Sequence, residues 1–453
     1  MPEVLCMWDK PFLSRLFKLS LPIILQNLFA VLGTAITTLM TGQLGDQAIA
    51  ASGLSNQLFF LLSLAQFGVS SGCAIFTAQF WGSRNTDSIL KAMGVSLLLG
   101  LGVGAIFAAI GWFAPHVFLG IFTKDAQVIE LGTRFLKIVA LSYLFTPAIN
   151  AYSMILRSMG NARLPMVVSS SSVVVNAVLG YGLIFGHLGL PEMGLHGAAV
   201  ANLVARVAEF LLLIWMVYRL KTPLAASPRQ LFTFDRLFLV RILKKAVPVL
   251  FNELAWALGV SAYSAIYARI GTEAIAAVSI KDTMESLLFV PFIGMVNACA
   301  ILVGNAIGSG KEGKPFGYVR QTLAIIIGTA ILLGTALFFL RDFVVDLYKI
   351  SAETRFFGFN LLTVLSFSLW MRTANLLFII GMMRSGGDTR FAYILDAGSM
   401  WIVGVPLALV GAFVLHLPVY YVYLLVMLDE VIKFAVSVWR FRSRRWIHNL
   451  ISN

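Results

Sequence analysis

The chain has 453 residues, 59% of them hydrophobic and 12% charged, about half the charged share of a typical soluble domain at ~25%. Its mean hydropathy is +0.87, and its long apolar runs approach or exceed the ~20 residues a helix needs to cross a bilayer. A soluble multidomain protein is excluded. The net charge of +13 does not point to nucleic acid, because Lys and Arg fall in short connections between apolar runs, where they orient a membrane protein.

In chain order, apolar runs predict helices over residues 15–41, 52–80, 92–121, 131–156, 163–186 and 195–218, numbered 1 to 6 here. Helices 7 to 12 follow over 241–268, 276–306, 317–345, 355–383, 391–415 and 418–440. The amphipathic start, Met1 to Lys18, does not resemble a cleaved leader, so the first apolar run is expected to stay as a helix. The basic connection from Arg219 to Arg236 divides the chain into an N-terminal lobe (1–218), a linker (219–240) and a C-terminal lobe (241–453).

Lys10, Arg15, Arg84, Lys91, Arg157, Arg163, Lys311, Arg384, Arg390 and the tail arginines 440, 442, 444 and 445 collect on one side. Loops 42–51, 187–194 and 416–419 on the other are nearly free of basic charge. The expected orientation puts both termini in the cytoplasm, which needs an even number of helices.

The halves repeat. An offset of 226 residues lays Pro22 on Pro248, Gly33 on Gly259, Gly68 on Gly294, and Cys73-Ala74-Ile75 on Cys299-Ala300-Ile301. Farther on, at 227, Leu156–Arg163 lies on Met383–Arg390. Six helices per half preserve the orientation of the second copy, which is a parallel repeat. The predicted fold class is therefore an all-α membrane protein of twelve transmembrane helices in two six-helix lobes.

Ionisable groups within such helices cost roughly 2.5–3.5 kcal/mol each on insertion scales and mark ion paths, pairs or cavities. The repeat shows where they were added: Asn27 faces Glu253, Asn56 faces Asp282, and Ser169 faces Asp396. Glu253, Asp396, Asp282 and Glu285 are the candidate groups for cation or proton coupling, with Glu253 foremost because no basic residue lies within a turn of it in sequence; Na⁺ could bind there. Burial lets a carboxylate trade a proton for a cation. The competing role is structural: Lys281 neutralises Glu285, four residues on, and Asp396 sits near the headgroups. Arg206 with Glu209, and Asp429 and Glu430 with Lys433, read as structural ion pairs. Asn27, Gln57, Asn176 and Asn252 are candidate substrate-cavity contacts, or else interhelical hydrogen bonds. The aromatic residues could hold flat cations over their rings, without singling out one position.

Cys6, Cys73 and Cys299 lack disulfide or metal spacing, and the five histidines are scattered. Gly82-Ser-Arg and Gly308-Ser-Gly-Lys lack full phosphate-loop spacing, so no nucleotide and no other cofactor is expected beyond a coupling ion. Neither a catalytic constellation nor a ring of like residues for a channel filter is evident.

Pro22 to Gly45 with the ending Thr-Gly-Gln-Leu-Gly-Asp, Leu156-Arg-Ser-Met-Gly-Asn-Ala-Arg-Leu-Pro165, Asn176, Gly194-Leu-His-Gly-Ala-Ala, Pro248 to Asn252-Glu253, and Arg384-Ser-Gly-Gly-Asp-Thr-Arg390 stand out. Together these stretches resemble the multidrug and toxic compound extrusion (MATE) family. The resemblance implies a V-shaped pair of six-helix lobes. It also implies export of organic, often cationic, compounds in exchange for Na⁺ or H⁺ across the cytoplasmic (inner) membrane. The chain departs from members with a carboxylate pair in helices 1 and 5, since Thr37 and Gly180 stand there, and from those with an acid in helix 10, where Arg372, Thr373 and Asn375 stand. A flippase for a lipid-linked precursor is the alternative on a related fold, but it calls for a more cationic cavity. The expected partners are a small organic molecule and the bilayer, with the chain working as a monomer.

Overall fold

The computed structural model describes residues 9–311 and 313–451. Cys6 lies outside them. The helices are Lys10–Gly42 (helix 1), Asp46–Gly82 (2), Thr86–Phe113 (3), Ala126–Ser142 continued by Thr146–Ser158 (4), Arg163–Phe185 (5) and Leu195–Arg219 (6). The second half has Arg236–Ile270 (7), Thr272–Gly308 (8), Gly313–Asp346 (9), Ala352–Arg384 (10), Thr389–Val414 (11) and Val419–Ser443 (12). Ten are long and apolar enough to cross a membrane, and the two parts of helix 4, bent by 45°, make an eleventh. Helix 12 is long enough as well, but Asp429, Glu430 and Lys433 interrupt its apolar run. The protein is thus a multi-pass membrane protein with six spans in each half.

The departures from the predicted boundaries have local causes. Helix 3 stops at Phe113 rather than 121, and a short helix, Pro115–Gly120, starts anew at its proline, whose ring fits a first turn but not a helix interior. Helix 4 breaks before Thr146 in the same way, with Pro147 in the first turn of its second part. The linker carries one helical turn, Pro228–Leu231, capped reciprocally by Ser227 and Gln230.

Helices 10 and 11 contain π-helical turns at Leu377–Arg384, Met400–Gly404 and Val410–Val414. A π turn bonds i to i+5 and so takes in an extra residue. The repeat offset, 226 as far as Cys299–Ile301, has become 227 by Met383, inside the first of these turns. The loops beyond it confirm the new register, since Gly160 (φ +89°) and Gly387 (φ +85°) both adopt the left-handed conformation.

Packing defines two compact units, Leu25–Leu250, and Phe251–Asn453 together with Met1–Ile24. Each boundary falls in a continuous helix two residues past a proline, Pro22 in helix 1 and Pro248 in helix 7, where a backbone hydrogen bond is missing. The leading part of helix 1 therefore packs with the second-half helices. Phe12 stacks on Tyr318 at 4.2 Å, and the Asp9 amide donates to Gln321 Oε1 at 3.0 Å. The leading part of helix 7 packs with first-half helices, with Phe238 on Phe80.

Leu58, Leu62, Leu136, Tyr143, Ile184 and Ala199 lie in the core of the first-half unit. Ile266, Tyr267, Leu361, Ala408 and Val422 do so in the other. Phe113, Phe339 and Ile402 stand exposed on the outside, as side chains facing lipid do.

Candidate functional site

In the unit containing helices 8 to 12, charged side chains from several helices converge in two groups. The first joins helices 7, 10, 11 and 12. Arg384 Nη1 donates to Glu253 Oε1 at 2.6 Å, and the two side chains are 4% and 12% exposed. Beside them, Asn252 Nδ2 donates to Asp396 Oδ2 at 3.0 Å. The Lys433 ammonium lies 3.2 Å from Asp396 Oδ1, 3.3 Å from Asp429 Oδ2 and 3.6 Å from Glu430 Oε1. Asn375 Nδ2 donates to Glu430 Oε2 at 2.6 Å and also to its backbone carbonyl.

The second group joins helices 8 and 10. Glu285 accepts from Lys281 at 3.1 Å and from Arg372 at 2.5 Å, and Lys281 also pairs with Asp282 at 2.5 Å. Arg372 reaches the Tyr423 hydroxyl at 3.1 Å and lies over the Phe289 ring.

The first-half unit has a counterpart of the first group. Arg157 Nη2 donates to Gln26 Oε1 at 2.5 Å, and Gln26 Nε2 donates to Ser169 Oγ at 2.9 Å. Ser169 donates to Glu209 Oε1 at 2.8 Å, and Arg206 holds Glu209 Oε2 at 2.7 Å. Under the repeat, Gln26 answers to Asn252, Arg157 to Arg384 and Ser169 to Asp396 or its neighbour. At an offset of 224, Arg206 answers to Glu430 and Glu209 to Lys433. The same frame is built twice, with the charges of helix 6 reversed in helix 12.

Several expectations change. Glu253 is not an unpaired carboxylate, because helix 10 delivers Arg384 to it across 131 positions of sequence. Asp396 is not a group left to the headgroups; it is buried between Asn252 and Lys433. Asn252, expected on a cavity wall, is 2% exposed and serves to hold Asp396. Asp282 is half exposed, and Glu285 is tied between Lys281 and Arg372. Asn176 reaches Thr37 at 3.4 Å. Asn27 is half-buried in helix 1 and Gln57 exposed in helix 2. The Arg206–Glu209 pair forms as expected, and Lys433 does pair within helix 12, but as one ammonium among three carboxylates.

Gln26, Arg157 and Arg384 were missed as network members. Both arginines stand in the last turns of helices, just before loops, where basic residues read as orientation signals, and only the match of Gln26 to Asn252 in the repeat gave a sign of them. Among the described residues no cluster of three or more His, Cys, Asp or Glu side chains is arranged to hold a metal ion.

The family model MatE matches residues 22–182 and 248–410, one block in each half. The chain is 26% identical to the probable multidrug resistance protein YoeA of Bacillus subtilis (strain 168), over 89% of this chain and 88% of that one. It is 24% identical to a probable multidrug resistance protein NorM of Thermotoga maritima, over 96% and 93% of the two chains. Among solved structures it superposes on a MATE in the bent conformation with a TM-score of 0.87 at 18% identity, covering 96% of each chain. It also superposes on a MOP superfamily transporter from Pyrococcus furiosus, with a TM-score of 0.85 at 18% identity over 97% and 98%. These structures share the fold of twelve helices in two lobes. The chain belongs to the MatE family of multidrug and toxic compound extrusion transporters.

Proposed function

We propose that the protein is a secondary antiporter that exports organic, often cationic, compounds across the cytoplasmic membrane by alternating access, driven by H⁺ or Na⁺ entry. The observation that carries this reading is the asymmetry of the two polar frames. The first-half frame holds Arg157, Arg206 and Glu209, and the second-half frame holds Glu253, Asp396, Asp429 and Glu430 against Arg384 and Lys433. Four carboxylates against two cations leave two negative charges at membrane depth, which is costly unless an ion neutralises them during the cycle. A coupling ion shifts a two-state equilibrium only through different affinities for the two states, and acids confined to one half suit that role.

Inside-out vesicles with imposed H⁺ and Na⁺ gradients, tested separately with ethidium as the probe, should accumulate dye under one gradient. Glu253→Gln retains an acceptor for Arg384, so it should insert normally yet lose gradient-driven uptake, with Asp396→Asn weaker but not silent. Wild-type uptake by Glu253→Gln under the same gradient sinks the assignment of that residue.

The proposed orientation puts residues 219–240 and the basic tail in the cytoplasm. A membrane-impermeant thiol reagent added to intact cells should label Pro191→Cys and leave Ser227→Cys unlabelled, with both substitutions placed in a variant lacking the native cysteines. The reverse pattern overturns the orientation.

A further inference from the structure

Charge pairing separates the polar groups of the second-half unit. Lys281 and Arg372 face Asp282 and Glu285, two cations to two anions. Arg384 and Glu253 form a one-to-one pair. What remains is Lys433 with Asp396, Asp429 and Glu430, one ammonium for three carboxylates.

Buried polar atoms around the cluster are also left over, donors as well as acceptors: Tyr263 Oη and Arg372 Nε have no partner among the described residues. Asn252 Oδ1, Asn375 Oδ1 and Asp429 Oδ1 are buried acceptors with no donor among the described residues, and Asn252, Asn375 and Asp429 are 2%, 2% and 3% exposed. Both carboxamides already spend an N–H on this cluster, on Asp396 and Glu430. An ionised carboxylate accepts only, whereas a protonated one also donates. Bound protons therefore answer the surplus of charge, one ammonium for three carboxylates, and make a carboxyl a donor as well. A metal ion answers it poorly, because the Lys433 ammonium already occupies the centre of the carboxylates.

From this geometry we infer that Asp429 and Glu430 form a proton-binding site on helix 12, with Lys433 as its fixed counter-ion. The inference deepens the antiporter reading and rests on it for its purpose, though not for its test. Protonation adds H⁺ to a carboxylate oxygen, neutralises it and turns that oxygen into a donor. Entry is through Glu430, whose side chain is 16% exposed, against 4% for Asp429. The other charged or titratable groups nearby are Tyr263 on helix 7, Arg372 and Arg384 on helix 10, Asp396 on helix 11 and, through the two arginines, Glu285 on helix 8 and Glu253 on helix 7. The corresponding place in the first half has Ala205 and Arg206, neither of which takes up or releases a proton.

The test uses the full-length protein in lipid bilayers without any organic substrate. An infrared difference spectrum between acid and alkaline pH should show the carbonyl stretch of buried protonated carboxyls. That band should weaken in Asp429→Asn and in Glu430→Gln, weaken most in the double variant and persist in Glu285→Gln. Proton counting with an indicator dye should find about two fewer protons per chain in the double variant, released as a coupled pair. Intact gel filtration and melting profiles qualify each isosteric variant, and a variant that fails them is replaced by Glu430→Gln alone, whose edge position tolerates the change. A double variant with the wild-type band and proton count overturns the site, and so does removal of the band by Na⁺ but not by K⁺ at fixed pH. Loss of the band in the double variant together with no gradient-driven ethidium uptake by the wild type leaves the proton site standing and removes the exporter reading instead.

Discussion

Arg384→Met will destabilise the protein by about 3–5 kcal/mol, the usual consequence of leaving one partner of a buried ion pair without the other. The Arg384 side chain is 4% exposed and its 2.6 Å contact is with Glu253, itself 12% exposed. With the guanidinium gone, the Glu253 carboxylate has no cation of its own, and Lys433 is already shared by three others. The compensating variant separates fold from transport. Glu253→Leu combined with Arg384→Met replaces both charges with apolar groups of similar reach, a change that is often neutral or stabilising. Its melting temperature in detergent should return close to the wild-type value while gradient-driven ethidium uptake stays absent. If the double variant transports like wild type, the pair only holds helices 7 and 10 together and coupling belongs elsewhere in the cluster. If Arg384→Met melts like wild type, the buried pair does not exist in the membrane.

The distance between sequence and structure is clearest at this pair. The number of helices, their order and their repetition were legible because each depends on local information, namely length, hydrophobicity and a fixed offset. Carboxylates at membrane depth were legible for the same reason, as departures from a neutral repeat partner. Their partners were not. Arg384 lies 131 positions from Glu253 and ends an apolar run, where a basic residue reads as an orientation signal. Lys433 and its neighbours were legible as a pair along one helix, at i and i+4, but the third carboxylate comes from helix 11 and depends on tertiary packing. The packing of the leading part of helix 1 was hidden too, since nothing in an apolar repeat tells a helix with which half it packs.

Gly68→Ala will lower the melting temperature more than Gly294→Ala, although the two glycines occupy the same place in the repeat. Gly68 lies against Leu250, and Gly294 against Ile24, so an offset of 226 relates both members of the contact. A Cβ on Gly68 would sit 2.7 Å from the Leu250 Cα, which is backbone and can move only with helix 7. A Cβ on Gly294 would sit 2.3 Å from Ile24 Cγ1, an atom of a side chain that can turn, and 3.1 Å from the Ser20 carbonyl oxygen. Inserting carbon into close-packed surroundings typically costs about 1–3 kcal/mol, and Gly68→Ala should fall at the upper end of that range. The second changes discriminate further. Ile24→Ala removes the obstructing Cγ1 and should restore most of the stability lost in Gly294→Ala. Leu250→Ala leaves its Cα in place and should not rescue Gly68→Ala. Because these contacts pack the turns that follow Pro22 and Pro248, Gly68→Leu should also abolish ethidium uptake even where protein still reaches the membrane. Equal melting of the two alanine variants, or rescue of Gly68→Ala by Leu250→Ala, means that the backbone of helix 7 does not approach helix 2 as closely as described here.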